Sequence, residues 1–323
     1  MNSHCVGRRM FYFNTVCEVV LYEYEGNPVS ILQGCEEILS QVQKRLNIFD
    51  PSSELSLLNA DYKPECPVPV SHELYMFLRR ILLFSADCGG SYDPTVGPLV
   101  RLWNITAQSP KIPDEAEIRK VKEVCGFDKL VFKDIEQSIT FLASGMEIDA
   151  GGAGKGYGAE LIAAYLKKKG VCSASVNLGG NLYLLGQRIT GQEREDWKVG
   201  IQSPWKDRGR SLGTLSVRDV GVATSAGYER YFEMNGKKYH HIVDPRTGWP
   251  AENELESVTI VSDLAIMTDL VSTAFFVLGL EKGDCLARKL RNNMFLEYVA
   301  VTHRGIEVSE GIKCRFQKNN SLI

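Results

Sequence analysis

Three separated stretches of the sequence carry residues whose types and spacing could do chemistry. The first, Asp149-Ala150-Gly151-Gly152-Ala153-Gly154-Lys155-Gly156-Tyr157-Gly158, lies between a strand pattern and a helix pattern. Glycines let the backbone approach a ligand closely, and a helix N-terminus favours anions, so Lys155 could meet a phosphate there. It is not a P-loop: the first Gly of GxxxxGK would fall on Asp149, and Gly156 replaces the required Ser or Thr. A tight strand-to-helix turn with a surface lysine explains this stretch equally well. The second runs from Tyr239 to Pro250 and places His241, Asp244 and Arg246 within six residues, framed by Pro245, Gly248 and Pro250. This reads as a rigid functional loop rather than a spacer. The competing reading is a turn in which Asp244 and Thr247 bond only their own backbone. His240 faces the other way from His241 if the segment enters as a strand. The third pairs Asp269 with Thr273, four apart on one face of an otherwise apolar helix. A carboxylate and a hydroxyl so placed suit a hard, oxygen-seeking cation such as Mg²⁺, although a buried Asp bonding a helical hydroxyl gives the same pattern. Weaker signals are Gly90 to Leu99 with Trp103, and Asn177-Leu178-Gly179-Gly180-Asn181. No single stretch decides the chemistry.

The elements that must position these residues follow from periodicity. Phe11 to Glu25 reads as one strand, and Val29 to Arg45 has helical spacing at Ile31, Leu32, Ile38, Leu39 and Val42. A helix from Ser71 to Cys88 has Ser71 as its N-cap and Gly89-Gly90 as its stop, and Pro113 to Cys125 is a short charged helix. Short strands follow at 130–132, 138–141 and 146–148, then a helix from Gly156 to Lys169. Strands recur at 173–177, 182–185, 197–202, 213–217 and 220–224, and a hairpin turns at Asn235-Gly236. A strand at 258–261, helices over 264–280 and 281–291 and a strand at 295–301 complete the chain. Strands and helices mix without strict alternation or internal repeat. The expected fold is therefore α+β with mixed or antiparallel sheets and packed helices, in one integrated unit over 1–323 whose first ten residues are flexible.

Composition narrows the function classes. The chain has 323 residues, a net charge of -3 and a pI near 6.0, so it has no basic surplus for a nucleic-acid backbone. A compact anionic ligand needs only a local basic or metal-bearing pocket. The nine Cys are scattered, without CxxC or a Cys/His zinc pattern, which suits a reducing cytoplasm. The first residues lack the apolar run of a signal peptide, and no run approaches the roughly 20 residues that span a bilayer. A cytoplasmic protein with no membrane insertion is expected.

Taken together and in order, the stretches resemble the ApbE family, the FAD:protein FMN transferases. The resemblance runs from about Phe13 to Gly279. It rests on Ser53-Glu54-Leu55-Ser56 with Asn59, Tyr92-Asp93-Pro94-Thr95, the Asp149-to-Tyr157 loop and Asn177-Leu178-Gly179-Gly180. It continues through Ala223-Thr224-Ser225, the His241-to-Gly248 loop and the helix around Asp269 and Thr273. The resemblance implies a T-fold-like unit that transfers the FMN half of FAD to a Thr or Ser hydroxyl of an acceptor protein, releasing AMP. It implies FAD contacts at Phe13, Phe49, Ser91, Tyr92, Asp93, Asp149, Lys155 and His241. It implies Mg²⁺, or Mn²⁺ in its place, on the carbonyl of Gly152 and the side chains of Asp269 and Thr273. His241, Lys155 and Asp269 would be catalytic, with His241 at the reacting phosphate, and the general base is His241 or a carboxylate. Two departures stand out. The family's usual Met-Gly-Thr near the N-terminus reads Phe13-Asn14-Thr15 here, and many members carry a secretion or lipoprotein signal that this sequence does not show. A cytoplasmic acceptor such as a flavin-dependent reductase fits that difference. The alternatives are a Mg²⁺-dependent FAD pyrophosphatase, in which water replaces the hydroxyl, and an FAD-binding protein without turnover. An NAD(P) oxidoreductase would rest on the Gly-rich loop alone, without a βαβ start.

Overall fold

Four of the α-helices start at side-chain caps that the sequence supplies. The computed structural model describes residues 5–319. Asn27 Oδ1 accepts from the N–H groups of Val29 and Ser30 and starts α1 (Pro28–Leu46), where Pro28 occupies a first-turn position that needs no donor. Ser53 caps α2 (Glu54–Asp61) and Ser71 caps α3 (His72–Asp87), each accepting from the N–H three residues on. Asp114 and Glu117 form a capping box on α5 (Glu115–Lys122), which follows α4 (Gly97–Trp103). The remaining helices are α6 (Gly154–Lys168), α7 (Ala265–Leu278) and α8 (Leu280–Leu290).

Strands are numbered along the chain. The main sheet has eight, in the order β1 (Val6–Tyr12), β2 (Thr15–Glu23), β6 (Ser173–Leu178), β7 (Asn181–Leu185), β12 (Val220–Ala226), β15 (Leu255–Ser262), β16 (Leu296–Thr302) and β17 (Gly305–Val308). Every neighbouring pair in it is antiparallel. Smaller sheets join β3 (Pro67–Pro69), β5 (Ser138–Phe141) and β4 (Leu130–Lys133), and β10 (Trp197–Gln202), β11 (Ser211–Val217) and β18 (Phe316–Lys318). Two hairpins, β8 (Arg188–Thr190) with β9 (Glu193–Glu195) and β13 (Tyr231–Met234) with β14 (Lys237–His240), complete the set. The fold is α+β with antiparallel sheets, as expected.

Three sequence expectations change. The stretch 11–25 is a β1–β2 hairpin rather than one strand, because Phe13 and Asn14 take φ of 53° and 55° and reverse the chain. Residues 6–10, read as part of a flexible N-terminus, pair with β2, while 1–4 lie outside the described residues. The stretch 146–148 is not a strand. Instead Asn59 clamps it with both ends of its amide, donating to the Ile148 carbonyl and accepting from the Ile148 N–H, each at 2.9 Å.

The period of two in the main sheet gives each face its own partner. Val19, Leu21 and Val176 pack with Leu39 of α1 and Ile162 and Leu166 of α6. Leu184, Val222, Val261 and Val299 face Trp197, Ile201 and Leu215 of the β10–β11 sheet. α7 is apolar on nearly every side, and that marks it as a fully enclosed helix. Its buried Leu, Ile, Val and Phe side chains each contribute about 1.5–3 kcal/mol by leaving water. Asp269 is the exception inside that helix, and the site is built around it.

Candidate active site

A carboxylate buried in an apolar helix must be compensated, and Asp269 is compensated from two other elements. Its Oδ2 accepts from the backbone N–H of Gly156 at 2.6 Å, in the first turn of α6. Its Oδ1 accepts from the side-chain amide of Asn181, at the start of β7. Glycine is needed at 156 because a Cβ there would lie 2.6 Å from the Ala265 carbonyl and 3.0 Å from Asp269 Oδ2. The α6 N-terminus therefore abuts α7 directly, and Glu160 tightens the junction by accepting from Ile266 N–H at 3.2 Å while pairing with Arg80.

Thr273 stands one turn beyond Asp269 and is half-buried. A Cβ built on Gly152 would lie 3.7 Å from Thr273 Oγ1 and 3.1 Å from the Tyr92 ring, so the glycine loop runs beside both. The sequence-derived trio of Gly152, Asp269 and Thr273 therefore gathers in one place. Burial pushes the Asp269 carboxyl above its usual range, while the charge of Lys155 and the two hydrogen bonds pull it down. Asp93 and Asp149 are also pushed up, chiefly by burial. Tyr92 supplies an orphan: its buried hydroxyl has no partner among the described residues, and burial with the charges of Asp149, Asp269 and Asp93 holds it well above the usual phenol range. Asp149 has the charge of Arg101 and Asp269 that of Lys155 to set against burial, and Asp93 is met by backbone N–H groups. An all-oxygen donor set and an unpartnered hydroxyl fit a hard divalent cation with its own waters or phosphates. Among the described residues no three His, Cys, Asp or Glu side chains form a metal cage. A site with one carboxylate that shares its cation with a substrate phosphate does not require one.

Lys155 is half-buried and forms no salt bridge among the described residues. Its charge acts on both Asp269 and His241. His241 donates its backbone N–H to the Arg230 carbonyl at 3.1 Å, and its Nδ1 meets the same oxygen at 3.3 Å. A carbonyl can only accept, so Nδ1 carries the proton and Nε2 keeps a free lone pair. Burial first, then the charges of Arg230, His240 and Lys155, lower the His241 pKa to about 4, with the Arg230 carbonyl opposing them. The ring is neutral at pH 7. His240 turns away as expected and bonds the Ala251 carbonyl at 2.8 Å.

The rest of the His241 loop bonds mostly within itself, with Trp103 Nε1 donating to the Gly248 carbonyl at 2.8 Å from outside. Asp244 Oδ1 accepts from Arg246 N and Nε, and Oδ2 from its guanidinium, all at 2.9 Å. Thr247 N and Gly248 N both donate to the Asp244 carbonyl. Asp244 and Thr247 thus follow the turn reading and make the loop a rigid mount for His241. In the neighbouring loop, Asp93 Oδ1 accepts from Thr95 N and Oγ1 and Oδ2 from Phe127 N, while Ser91 Oγ donates to the Cys88 carbonyl. Ser91 thus shapes its own loop, and Asp93 ties that loop to the turn at Phe127. Asp149 accepts from Gly151 N at 2.7 Å and donates its N–H to the Pro94 carbonyl, which ties this loop to the glycine loop.

Phe13 lies half-buried between the two main cores, its N–H donating to Gln43 Oε1 at 3.0 Å. A Cβ on Gly158 would reach Phe13 Cζ at 3.6 Å, and one on Gly154 would reach Leu46 at 3.9 Å. The end of α1 therefore borders the glycine loop. Phe49, three residues beyond Leu46, is 90% exposed, an aromatic face with no cover from its own chain. Sequence reasoning quoted Asn59 and the Asn177-to-Asn181 turn within matching stretches but gave neither Asn59 nor Asn181 a positioning role, and it missed Glu160 altogether.

The model of the ApbE family matches residues 13–296. A Treponema pallidum protein named FAD:protein FMN transferase is 33% identical over 295 residues, covering 87% of this chain and 81% of that protein. A Klebsiella pneumoniae protein of the same name is 34% identical over 255 residues, with coverages of 79% and 77%. The crystal structure of the ApbE protein from Thermotoga maritima superposes with a TM-score of 0.85 at 28% identity, covering 97% of this chain and 99% of that one. The flavin transferase ApbE from Vibrio cholerae shares the fold at a TM-score of 0.83 and 24% identity, with the same coverages.

Proposed function

The chain belongs to the ApbE family, and on that premise we propose that it transfers the FMN half of FAD to a Thr or Ser hydroxyl of an acceptor flavoprotein, releasing AMP. The observation that carries this reading at the site is the gathering of Gly152, Asp269 and Thr273 at the N-terminus of α6, with the half-buried Lys155 close enough for its charge to act on both Asp269 and His241.

Phosphoryl transfer needs positioning and charge neutralisation more than covalent help from the protein. The glycine loop would bring the pyrophosphate against the α6 N-terminus, where helix dipole and Lys155 both favour negative charge. Gly152, Asp269 and Thr273 would hold Mg²⁺ or Mn²⁺, which when bound supplies Lewis-acid stabilisation of the leaving AMP phosphate. The acceptor oxygen forms its bond to the FMN phosphorus as the bond to the AMP oxygen breaks, and His241 Nε2 takes the hydroxyl proton. Phe13, which lies beside Gly158 of α6, and the exposed ring of Phe49 just past α1 would contact the flavin. Asp149, with the Ser91-Tyr92-Asp93 loop tied to it, would shape the FAD pocket.

The nine free thiols support a reducing compartment, and a cytoplasmic acceptor such as a flavin-dependent reductase fits it. Among the described residues no helix is long and apolar enough to cross a membrane.

The base assignment makes a pH test. A base works when deprotonated, so activity is lost as pH falls through its pKa in the free enzyme. With His241 at about 4, kcat/KM is expected to stay level from pH 7 to about 5 and to fall below that. A limb near 6.5 in the unmodified enzyme, or one near 4 that persists in His241→Ala, contradicts the assignment.

A further inference from the structure

We propose that Asn181 is a positioning residue for the cation site, its amide fixing the carboxylate of Asp269. This rests on the reading above that Asp269 holds the cation. Asn181 is 6% exposed and opens β7, paired with Leu178 across the β6–β7 turn. Alternation along β7 sends Tyr183 and Leu185 into the core under α1 and α6, and Leu182 and Leu184 toward the β10–β11 sheet. Asn181 shares the parity of Tyr183, so its side chain enters the helix side and reaches Asp269 Oδ1.

The turn that delivers it is fixed. Gly179 and Gly180 take φ of 64° and 98°, and Gly180 N–H donates to Asn177 Oδ1 at 2.9 Å. A Cβ on Gly179 would collide with Thr15, so the turn sits tightly against the β1–β2 hairpin. Asp269 is thereby held from two independent directions, by Gly156 N–H on Oδ2 and by the Asn181 amide on Oδ1. Two donors stop the carboxylate from rotating, and its remaining lone pairs stay available to a cation. An amide does this without charge, whereas a carboxylate at 181 would stand against Asp269 as a like charge.

Groups that orient a metal ligand are worth about 10–100-fold in metal affinity. The test titrates Mn²⁺ into the full-length protein without FAD, following the free-ion paramagnetic resonance signal. Asn181→Leu keeps shape and burial while removing the donor. Its Mn²⁺ Kd is expected to rise about 10–100-fold, and the Mg²⁺ needed for half-maximal AMP release to rise with it. Asn181→Ala gives the same readout should the leucine variant not fold. Folded variants with Mn²⁺ binding within twofold of the unmodified protein overturn the proposal when Asp269→Asn does weaken binding. Unchanged binding in Asp269→Asn as well removes the cation from Asp269 and overturns the reading beneath it.

Discussion

Asp269→Ala is expected to lower flavin transfer about a thousandfold at any Mg²⁺ concentration while the protein stays folded. The size follows from removing several kcal/mol of charge stabilisation, each 1.4 kcal/mol being about tenfold in rate. The fold should tolerate the loss because two effects oppose each other. Truncation strands the Gly156 N–H and the Asn181 amide, at about 1–3 kcal/mol each, but also removes a carboxylate that burial disfavours. Steady-state rates across a Mg²⁺ titration, with a thermal melt of the same sample, check both halves. Full turnover at saturating Mg²⁺ would remove Asp269 from the cation site, whereas a collapsed melt would make its role structural.

His241→Ala is expected to keep FAD affinity within a fewfold and to slow transfer about 10²–10⁴-fold, the usual contribution of a positioned base. The ring is held by one carbonyl, that of Arg230, and its loop by the Asp244–Arg246 pair, so its loss leaves the mount intact. Titrating FAD by flavin fluorescence alongside single-turnover transfer separates the two quantities. Loss of FAD binding with transfer would place His241 in ligand contact instead of proton transfer.

Much of the fold was legible because its signals are local. Ser71 announces α3, Asn235-Gly236 turns β13 into β14 with positive φ at both residues, and the apolar run of α7 marks an enclosed helix. The β1–β2 turn escaped notice because Phe13 carries no turn signal. Its positive φ is held in place from outside, by Gln43 on its N–H and by packing between two cores. α4 has no counterpart among the expected elements because Gly97 and Pro98 look like breakers, yet both lie in its first turn, where no amide donor is missed.

The site divides in the same way. Residue types and local spacing pointed to Gly152, Lys155, His241, Asp269 and Thr273, and the structure brings the oxygen-bearing trio together. What spacing could not give is which distant group holds which. Asn181 meets Asp269 across 88 residues, and Asn59 meets Ile148 across 89. Nor could it tell that Asp93 and Ser91 spend their polar atoms on Thr95, Phe127 and the Cys88 carbonyl, since an Asp in a Pro/Gly-framed turn reads the same whether it binds a ligand or a backbone.

The central claim is that FMN moves from FAD to a protein hydroxyl. Its most direct test is the intact mass of a candidate acceptor domain after incubation with this protein, FAD and Mg²⁺. The account predicts a gain equal to one FMN phosphodiester, absent with EDTA and absent when the acceptor hydroxyl is removed. Steady AMP release with no mass gain on any flavoprotein acceptor offered would make the protein an FAD pyrophosphatase, and neither product would leave it a flavin-binding protein; either result contradicts the account.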